Sequence, residues 1–336
     1  MHKIAIIGAG MISNSHAKAI SNIADAELIA VCDIKESSAK NLALKNGCVF
    51  YTDIETMLKK ENDIEIVIIA VPTFLHNEVV SKCAKYKKHI LCEKPLELTV
   101  KKTENLLESV HDANVIFMTA QVVRFWTGYV EIKKMYDSGE IGEVFLAYAT
   151  RCSQMQSWGN TWLVNPELGQ GAILDMHVHD IDYLRYLLGP IDHVYCAAKK
   201  DETECFNSAF STIAFKNGAK SVAQTSFNMQ DGYPFTMTLQ IIGTLATVEM
   251  KYCAGFNIGE RDSIASELRI FKKGSEPIVK KLELYDGYTR QLEYFLNCVK
   301  KNSQPGKVPH DQNLEVIKAA CAIRESAETE KIVYIK

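Results

Sequence analysis

Short apolar runs and amphipathic segments alternate through the first 120 residues. Lys3–Ile7, Ala26–Cys32, Ile64–Ala70, Lys88–Cys92 and Val115–Thr119 are apolar with little polar alternation. Runs of that kind read as strands buried on both faces. Between them Met11–Asn22, Lys35–Asn46, Asn77–Tyr86 and Val100–Asp112 carry helical spacing, the first with His16, Ala19 and Ile20 on one side. The alternation predicts an α/β domain over residues 1–120, built on a parallel, doubly wound sheet. The rhythm then changes. A helix over Thr127–Asp137 and a strand over Glu143–Thr150 precede a loop rich in Ser, Gln, Trp and Asn. A helix that opens at Asp175–Asp182 (DMHVHDID) follows. From about 192 to 282 strands succeed one another across the turn signals Lys216-Asn217-Gly218, Gln230-Asp231-Gly232 and Lys273-Gly274. Helices near Thr289–Lys301 and Gln312–Glu328 close the chain. Residues 121–336 are therefore expected to form an α+β domain with a mostly antiparallel sheet.

Apolar residues make up 47% of the chain and charged residues 24%, as in an ordinary globular protein. A formal net charge of −3 gives no reason to expect nucleic acid or an anionic membrane as partner. No apolar run reaches the roughly 18 residues of a membrane helix. No signal-peptide pattern precedes Lys3–Ile7, so a cytoplasmic location is expected. The ten cysteines include no CxxC pair, and several, such as Cys32 and Cys92, sit inside strand patterns. They are expected to be free thiols.

The first strand runs into Gly8-Ala9-Gly10-Met11-Ile12-Ser13, a glycine-rich turn that opens a helix. In a dinucleotide fingerprint the first glycine makes the tight turn and the second lets backbone approach a pyrophosphate. The third position, here Ser13, needs a small residue for helix–strand packing. An anion would sit on the helix N-terminus, which makes Gly8, Gly10, Met11 and Ile12 candidate cofactor contacts. Asp33 ends the second strand, 25 residues past Gly8, where an acid bonds the adenosine ribose. A carboxylate there repels a 2′-phosphate, so NAD is expected rather than NADP. Ligands of such sheets bind at the carboxyl ends of strands. That rule selects Val71, Pro72 and His76 after one strand, Glu93 and Lys94 after the next, and Gln121 and Arg124 after the last.

On a regular helix Asp175 and His179 share a face, and Asp182 lies near it. His177 points the opposite way, so the i, i+4 histidine pair of a helical zinc site is missing and no metal is expected. Asp175 orienting His179 would suit proton transfer to or from an alcohol. A solvated, acid-capped helix start is the alternative, and this stretch alone leaves both open.

Taken together these residues resemble the Gfo/Idh/MocA family of oxidoreductases along essentially the whole chain. The resemblance rests on Gly8-Ala9-Gly10, Glu93-Lys94-Pro95, Ser138-Gly139-Glu140-Ile141-Gly142 and Gly169-Gln170-Gly171-Ala172-Ile173-Leu174-Asp175 with His179 and Asp182. The last is similar to the family's GGGxLxDxxxHxxD. Gln170, Ile173, His177 and Ser13 depart from the usual pattern, and the effect of His177 on the pocket is left open. The resemblance implies a Rossmann domain, then an open-faced sheet domain serving in a homodimer or homotetramer, with the active site between the two. It also implies a cis bond before Pro95, Lys94 on nicotinamide ribose and substrate hydroxyl, and His179 as general acid/base supported by Asp175. Trp162 and Tyr288 enter as substrate contacts on the same analogy. The loop Gln154–Trp162 and Arg124 are further candidates, since amides and aromatic faces suit a polyhydroxylated ring. The expected reaction is reversible oxidation of a secondary alcohol on a sugar or inositol-like polyol. The rivals are a cofactor-sensing regulator and a reductase of an imine or conjugated substrate.

Overall fold

In the computed structural model, which describes residues 1–155, 162–253, 267–282 and 286–336, the chain begins with β1 (His2–Ile7), α1 (Met11–Ser21), β2 (Ala26–Cys32), α2 (Glu36–Asn46), β3 (Val49–Tyr51) and α3 (Ile54–Lys60). Next come β4 (Ile66–Ile69), α4 (His76–Lys85), β5 (His89–Cys92), α5 (Val100–Ala113) and β6 (Phe117–Thr119). Then follow α6 (Thr127–Asp137), β7 (Val144–Cys152), a π-helical turn (Ile173–His177) and α7 (Val178–Leu188). Strands β8 (Ile191–Ala198), β9 (Ser208–Phe215), β10 (Lys220–Ser226), β11 (Thr236–Gly243), β12 (Ala246–Cys253), β13 (Glu267–Lys272) and β14 (Ile278–Lys281) succeed one another. The last elements are α8 (Gly287–Lys300), α9 (His310–Thr329) and β15 (Val333–Tyr334).

The chain divides into two compact units. The first holds Met1–Phe125 and Asp286–Asn313. Its sheet is parallel, in the order β3-β2-β1-β4-β5-β6. Because strand side chains alternate in direction, Ile4 and Ile6 enter one buried layer, and Ala5 and Ile7 the other. In β4, Ile66 and Ile68 divide from Val67 and Ile69 in the same way. Both faces are covered, which is why these strands read as unbroken apolar runs. The doubly wound sheet is as the sequence predicts. The short pair β3 and α3 was not anticipated, since a three-residue strand carries almost no periodicity.

The expected boundary at residue 120 is corrected at both ends. The first unit runs on to Phe125, and it takes back Asp286–Asn313 from the segment assigned wholly to the second domain. The cause is apolar. Leu292, Phe295, Leu296 and Val299 of α8 join the layer that holds Ile4, Ile6, Ile66 and Ile68. The sheet face needs that cover, and α8 supplies it.

The second unit, Trp126–Tyr285 with Leu314–Lys336, carries a nine-stranded sheet ordered β14-β13-β12-β11-β7-β10-β9-β8-β15. Its described pairs are antiparallel apart from β10 with β7. Helix α7 lies on one face, against β7 and β10. Ser326 of α9 accepts the Cys196 N–H of β8 at 2.9 Å. No described helix is long and apolar enough to cross a membrane.

A buried ion pair fixes α7 on its sheet. Arg151 of β7 meets Asp180 through two bonds, Nε to Oδ2 at 3.1 Å and Nη2 to Oδ1 at 2.9 Å. The two side chains are 3% and 2% exposed. Arg151 also donates to the Tyr129 hydroxyl at 3.3 Å, and the Tyr183 hydroxyl donates to the Tyr129 carbonyl at 2.7 Å. Burial pushes the Tyr129 phenol up to about 12. Removing one partner strands the other charge in a low-dielectric interior. Asp180→Ala should therefore cost roughly 3–5 kcal/mol, read as a lower denaturation midpoint at unchanged m-value. Arg151→Met combined with Asp180→Leu should recover most of that loss. A single variant within about 1 kcal/mol of wild type would show that the pair is solvated.

Candidate active site

Each unit presents one constellation, and each is built by its own rules. In the first, β1 ends in Gly8 at φ +96°, passing so close to the end of β4 that a Cβ would stand 2.3 Å from the Ala70 carbonyl oxygen. Ser13, fully buried, donates from Oγ to the Gly8 carbonyl at 2.8 Å. The serine that departs from the glycine or alanine pattern thus closes the turn it sits beneath. Gly10 precedes α1 and no side chain caps that helix. A Cβ on Gly10 would meet nothing within 4 Å, so the space above it is open. Asp33, just past β2, is pinned between backbone amides: Ala9 N donates to Oδ2 and Lys35 N to Oδ1, both at 2.7 Å.

These residues fit a dinucleotide. The open space over Gly10 and the uncapped N-terminus of α1 suit a pyrophosphate. The fixed carboxylate of Asp33 suits ribose hydroxyls. At the end of β6, Gln121 is 2% exposed, and its Oε1 has no hydrogen-bond partner among the described residues. A buried acceptor of that kind costs free energy until a donor reaches it, and a carboxamide N–H is such a donor. Gln121 Nε2 stands 3.5 Å from Asn313 Oδ1.

Lys94 follows β5. Along Ile90–Leu98 it is the one residue that is not buried. The Lys94–Pro95 bond is cis, as the resemblance implies. Two buried histidines hold this turn. His16 of α1 places Nε2 2.7 Å from Glu93 Oε1. His76 places Nδ1 3.0 Å from the Pro95 carbonyl and 3.2 Å from that of Leu96, with Nε2 3.0 Å from the Val71 carbonyl. Burial pushes the His76 ring toward its neutral form, against the pull of those carbonyls.

Three expectations need correction here. His76 is 1% exposed, and the one N–H of its neutral ring goes to a backbone carbonyl, of Val71 or of Pro95 and Leu96, so it braces a turn and does not offer its ring to a cofactor. Glu93 likewise gives its carboxylate to His16. Arg124 is 1% exposed and donates from Nη1 to the Lys307 carbonyl at 2.7 Å and to Gln312 Oε1 at 2.8 Å. It ties the end of the first segment to the returning one, and no exposed guanidinium remains for a substrate. Tyr288 lies within the first unit, its ring edge-on to His16 at 5.4 Å. His16 was not proposed from the sequence, although a histidine on the apolar side of α1 was its visible signal.

In the second unit the turn Gly169–Ala172 leads into the π-helical segment that carries Asp175. Such i→i+5 turns inside helices recur at functional sites. From Gly171 to Leu184 every residue is buried except Asp175 and His179. A solvated helix start is therefore not what the structure shows. His177 is fully buried, with Nε2 2.9 Å from Ser211 Oγ of β9. Burial, reinforced by the Arg151 charge, pushes its imidazole down to about 3. His177 thus faces the sheet. Gln170 takes φ +64°, the left-handed conformation that its family's glycine adopts freely, and Arg324 donates to its Oε1. Trp162 sits beside this turn, its carbonyl accepting from Asn165 N at 3.2 Å. Trp158 and the rest of residues 156–161 lie outside the described residues.

Residues 2–121 match the model described as the oxidoreductase family with NAD-binding Rossmann fold, and residues 129–249 match the GFO/IDH/MocA C-terminal domain. The chain belongs to this family and is an oxidoreductase. It is similar to the myo-inositol 2-dehydrogenase of Thermotoga maritima, 26% identical over 99% of this chain and 98% of that one. It is similar also to the inositol 2-dehydrogenase of Rhizobium meliloti, 26% identical over 98% of each. Among solved structures, the myo-inositol 2-dehydrogenase of Lactobacillus plantarum shares the fold, with a TM-score of 0.84 at 22% identity, over 100% of this chain and 99% of that one.

The two glycines of the first turn give a separable test. Gly10→Ala should leave thermal stability unchanged and weaken NAD binding at least about tenfold, because its Cβ enters the space left for the pyrophosphate. Gly8→Ala should instead destabilise the fold by roughly 2–3 kcal/mol or more, from the clash and the left-handed backbone together. Isothermal titration and thermal denaturation of both variants distinguish the roles. Equal behaviour of the two would refute the separation.

Proposed function

We propose that the protein is an NAD-dependent dehydrogenase that reversibly oxidises a secondary alcohol of a sugar or cyclic, inositol-like polyol. The observation that carries the reading is selective exposure. Lys94 is the lone residue with solvent access in its turn, and Asp175 and His179 are the two with access in theirs. Those three side chains are the ones whose chemistry the reaction needs. Two relatives that match along nearly the whole chain are inositol 2-dehydrogenases, which supports the substrate class.

In this reading His179 takes the hydroxyl proton, and the carboxylate of Asp175 favours the charged imidazole that results. Lys94 stabilises negative charge that develops on the substrate oxygen. Bound NAD supplies the hydride acceptor. Gly8, Gly10, Met11, Ile12 and the strand-end residues Val71, Pro72 and Gln121 line its place, and Asp33 selects against a 2′-phosphate. The residue after Asp33 is Ile34, which is 92% exposed and carries no charge to hold such a phosphate. Trp162 and Tyr288 remain proposed substrate contacts.

His179→Ala should keep NAD affinity within about twofold while turnover falls roughly 10²–10⁴-fold. NADH formation with inositols, aldoses and glycosides measures the second, and fluorescence titration the first. Turnover unchanged in that variant would sink the assignment.

The same reading includes self-association through the open sheet face. Tyr195, Val222 and Tyr148 lie along one cross-strand row with Thr212, and Leu146 and Phe210 are exposed nearby. Exposed apolar surface spread over four strands favours a second copy as its cover. Tyr148→Asp combined with Phe210→Asp should give a monomer by sedimentation equilibrium; an unchanged mass would exclude this face.

A further inference from the structure

We propose that Asp201 and Asn207 are positioning residues for the Asp175–His179 helix, an inference that rests on the catalytic role proposed above. Asn207 is fully buried, and its amide works in both directions. Oδ1 accepts the Ala172 N–H at 3.2 Å, while Nδ2 donates to Asp201 Oδ2 at 2.9 Å and to Thr203 Oγ1 at 3.0 Å. Gly171, at φ +76°, is what lets the amide approach, since a Cβ there would stand 2.7 Å from Asn207 Oδ1. The Gly171 carbonyl in turn accepts the Asp175 N–H at 3.2 Å. A continuous line of polar contacts therefore runs from the Asp201 carboxylate to the backbone of Asp175.

The other end of the line is equally fixed. Asp201 Oδ1 accepts from Thr203 N at 2.9 Å and from Thr203 Oγ1 at 2.6 Å. Oδ2 also accepts from Asn228 Nδ2 at 3.1 Å. Asn228 is bridged to Gln154, and Ser153 N donates to the Ser226 carbonyl at 2.8 Å, so the network also reaches the segment that enters the 154–162 loop. Burial opposes the charge on Asp201, but these donors outweigh it and hold its carboxyl below the usual range. The ionisable groups of the same loop are Lys199, Lys200, Glu202, Glu204 and the Cys205 thiol. The turn Gly171–Ala172 and the segment Ser226–Asn228 bring none.

The polarity of the pair gives the test. An amide and a carboxylate attract; two carboxylates sharing one proton do so only when the pH is low enough to supply it. Turnover of myo-inositol with NAD is measured in wild type, Asn207→Asp, and the exchanged pair Asp201→Asn with Asn207→Asp. At about pH 8 the single variant should lose about tenfold or more in kcat, with KM for NAD unchanged. Its ratio to wild type should rise as the pH falls toward about 6, because the shared proton restores a donor. The exchanged pair should recover to within about threefold at every pH. Wild-type kcat in Asn207→Asp, or no recovery in the exchanged pair, would overturn the proposal. If Asn207→Asp does not fold, Asp201→Ala stands in for it: lost kcat at constant KM for NAD is expected, and wild-type kcat refutes. If wild type itself does not oxidise myo-inositol, amide exchange at Ala172 and Asp175 decides independently. Protection lost in the single variant and regained in the exchanged pair supports positioning; unchanged protection overturns it.

Discussion

The orientation of α7 depends on the buried contact between Arg151 and Asp180. Against two well-packed apolar side chains such a pair gains little stability, because desolvating both charges offsets most of their attraction. What it supplies is direction. Two parallel bonds at 3.1 and 2.9 Å allow one rotation of the helix over β7. Asp180 follows His179 directly, and adjacent helical residues lie about 100° apart. Holding Asp180 inward therefore turns His179 toward the rim of the helix, while His177 is sent to Ser211 in the sheet. The pattern of one accessible histidine and one buried, neutral histidine follows from that single constraint.

The first unit solves the corresponding problem with histidines instead of an ion pair. A turn at the end of a parallel strand exposes backbone carbonyls that the sheet no longer satisfies. His76 stands among three of them, from Val71, Pro95 and Leu96, and the single N–H of its neutral ring serves those on one side. His16 reaches from α1 to Glu93. The helix that faces the proposed pyrophosphate and the turn that carries Lys94 are thus tied by one 2.7 Å contact. Lys94 stays accessible because the residues around it are anchored in the interior.

Local patterns were legible in the sequence, and long-range partners were not. Unbroken apolar runs announced a doubly covered parallel sheet, and the glycine turn with Asp33 announced its ligand, since both signals lie within about 30 residues. Arg124 was selected as a substrate contact by its place after a strand; its partners, Lys307 and Gln312, lie 183 and 188 residues away. The same distance hid the return of α8, whose apolar side fits the first sheet as well as any second domain until the packing is seen. His76 was selected as a cofactor contact by its position at a strand end. Its role was misread because burial, which decides whether a ring meets ligand or backbone, leaves no mark on a single residue.

Three of the four departures from the family pattern, Ser13, His177 and Gln170, follow one rule: each places a larger or more polar side chain where a small one is usual, and each has found a partner for the added atoms. Ser13 adds a hydroxyl beneath the first turn and donates it to Gly8. His177 adds an imidazole inside the core and meets Ser211, the ring kept neutral by burial. Gln170 is the costly case, since a left-handed backbone at a residue with a Cβ carries a penalty on the order of 1 kcal/mol. Its amide is met by Arg324 of α9, a contact a glycine could not make. That contact links the turn before Asp175 to the closing helix of the same unit. The strain at Gln170 is thereby offset by a tie on one side of the turn, while Asn207 holds the other side at Ala172. A turn fixed from both sides is what a helix needs if its first accessible residue is to stand in one place.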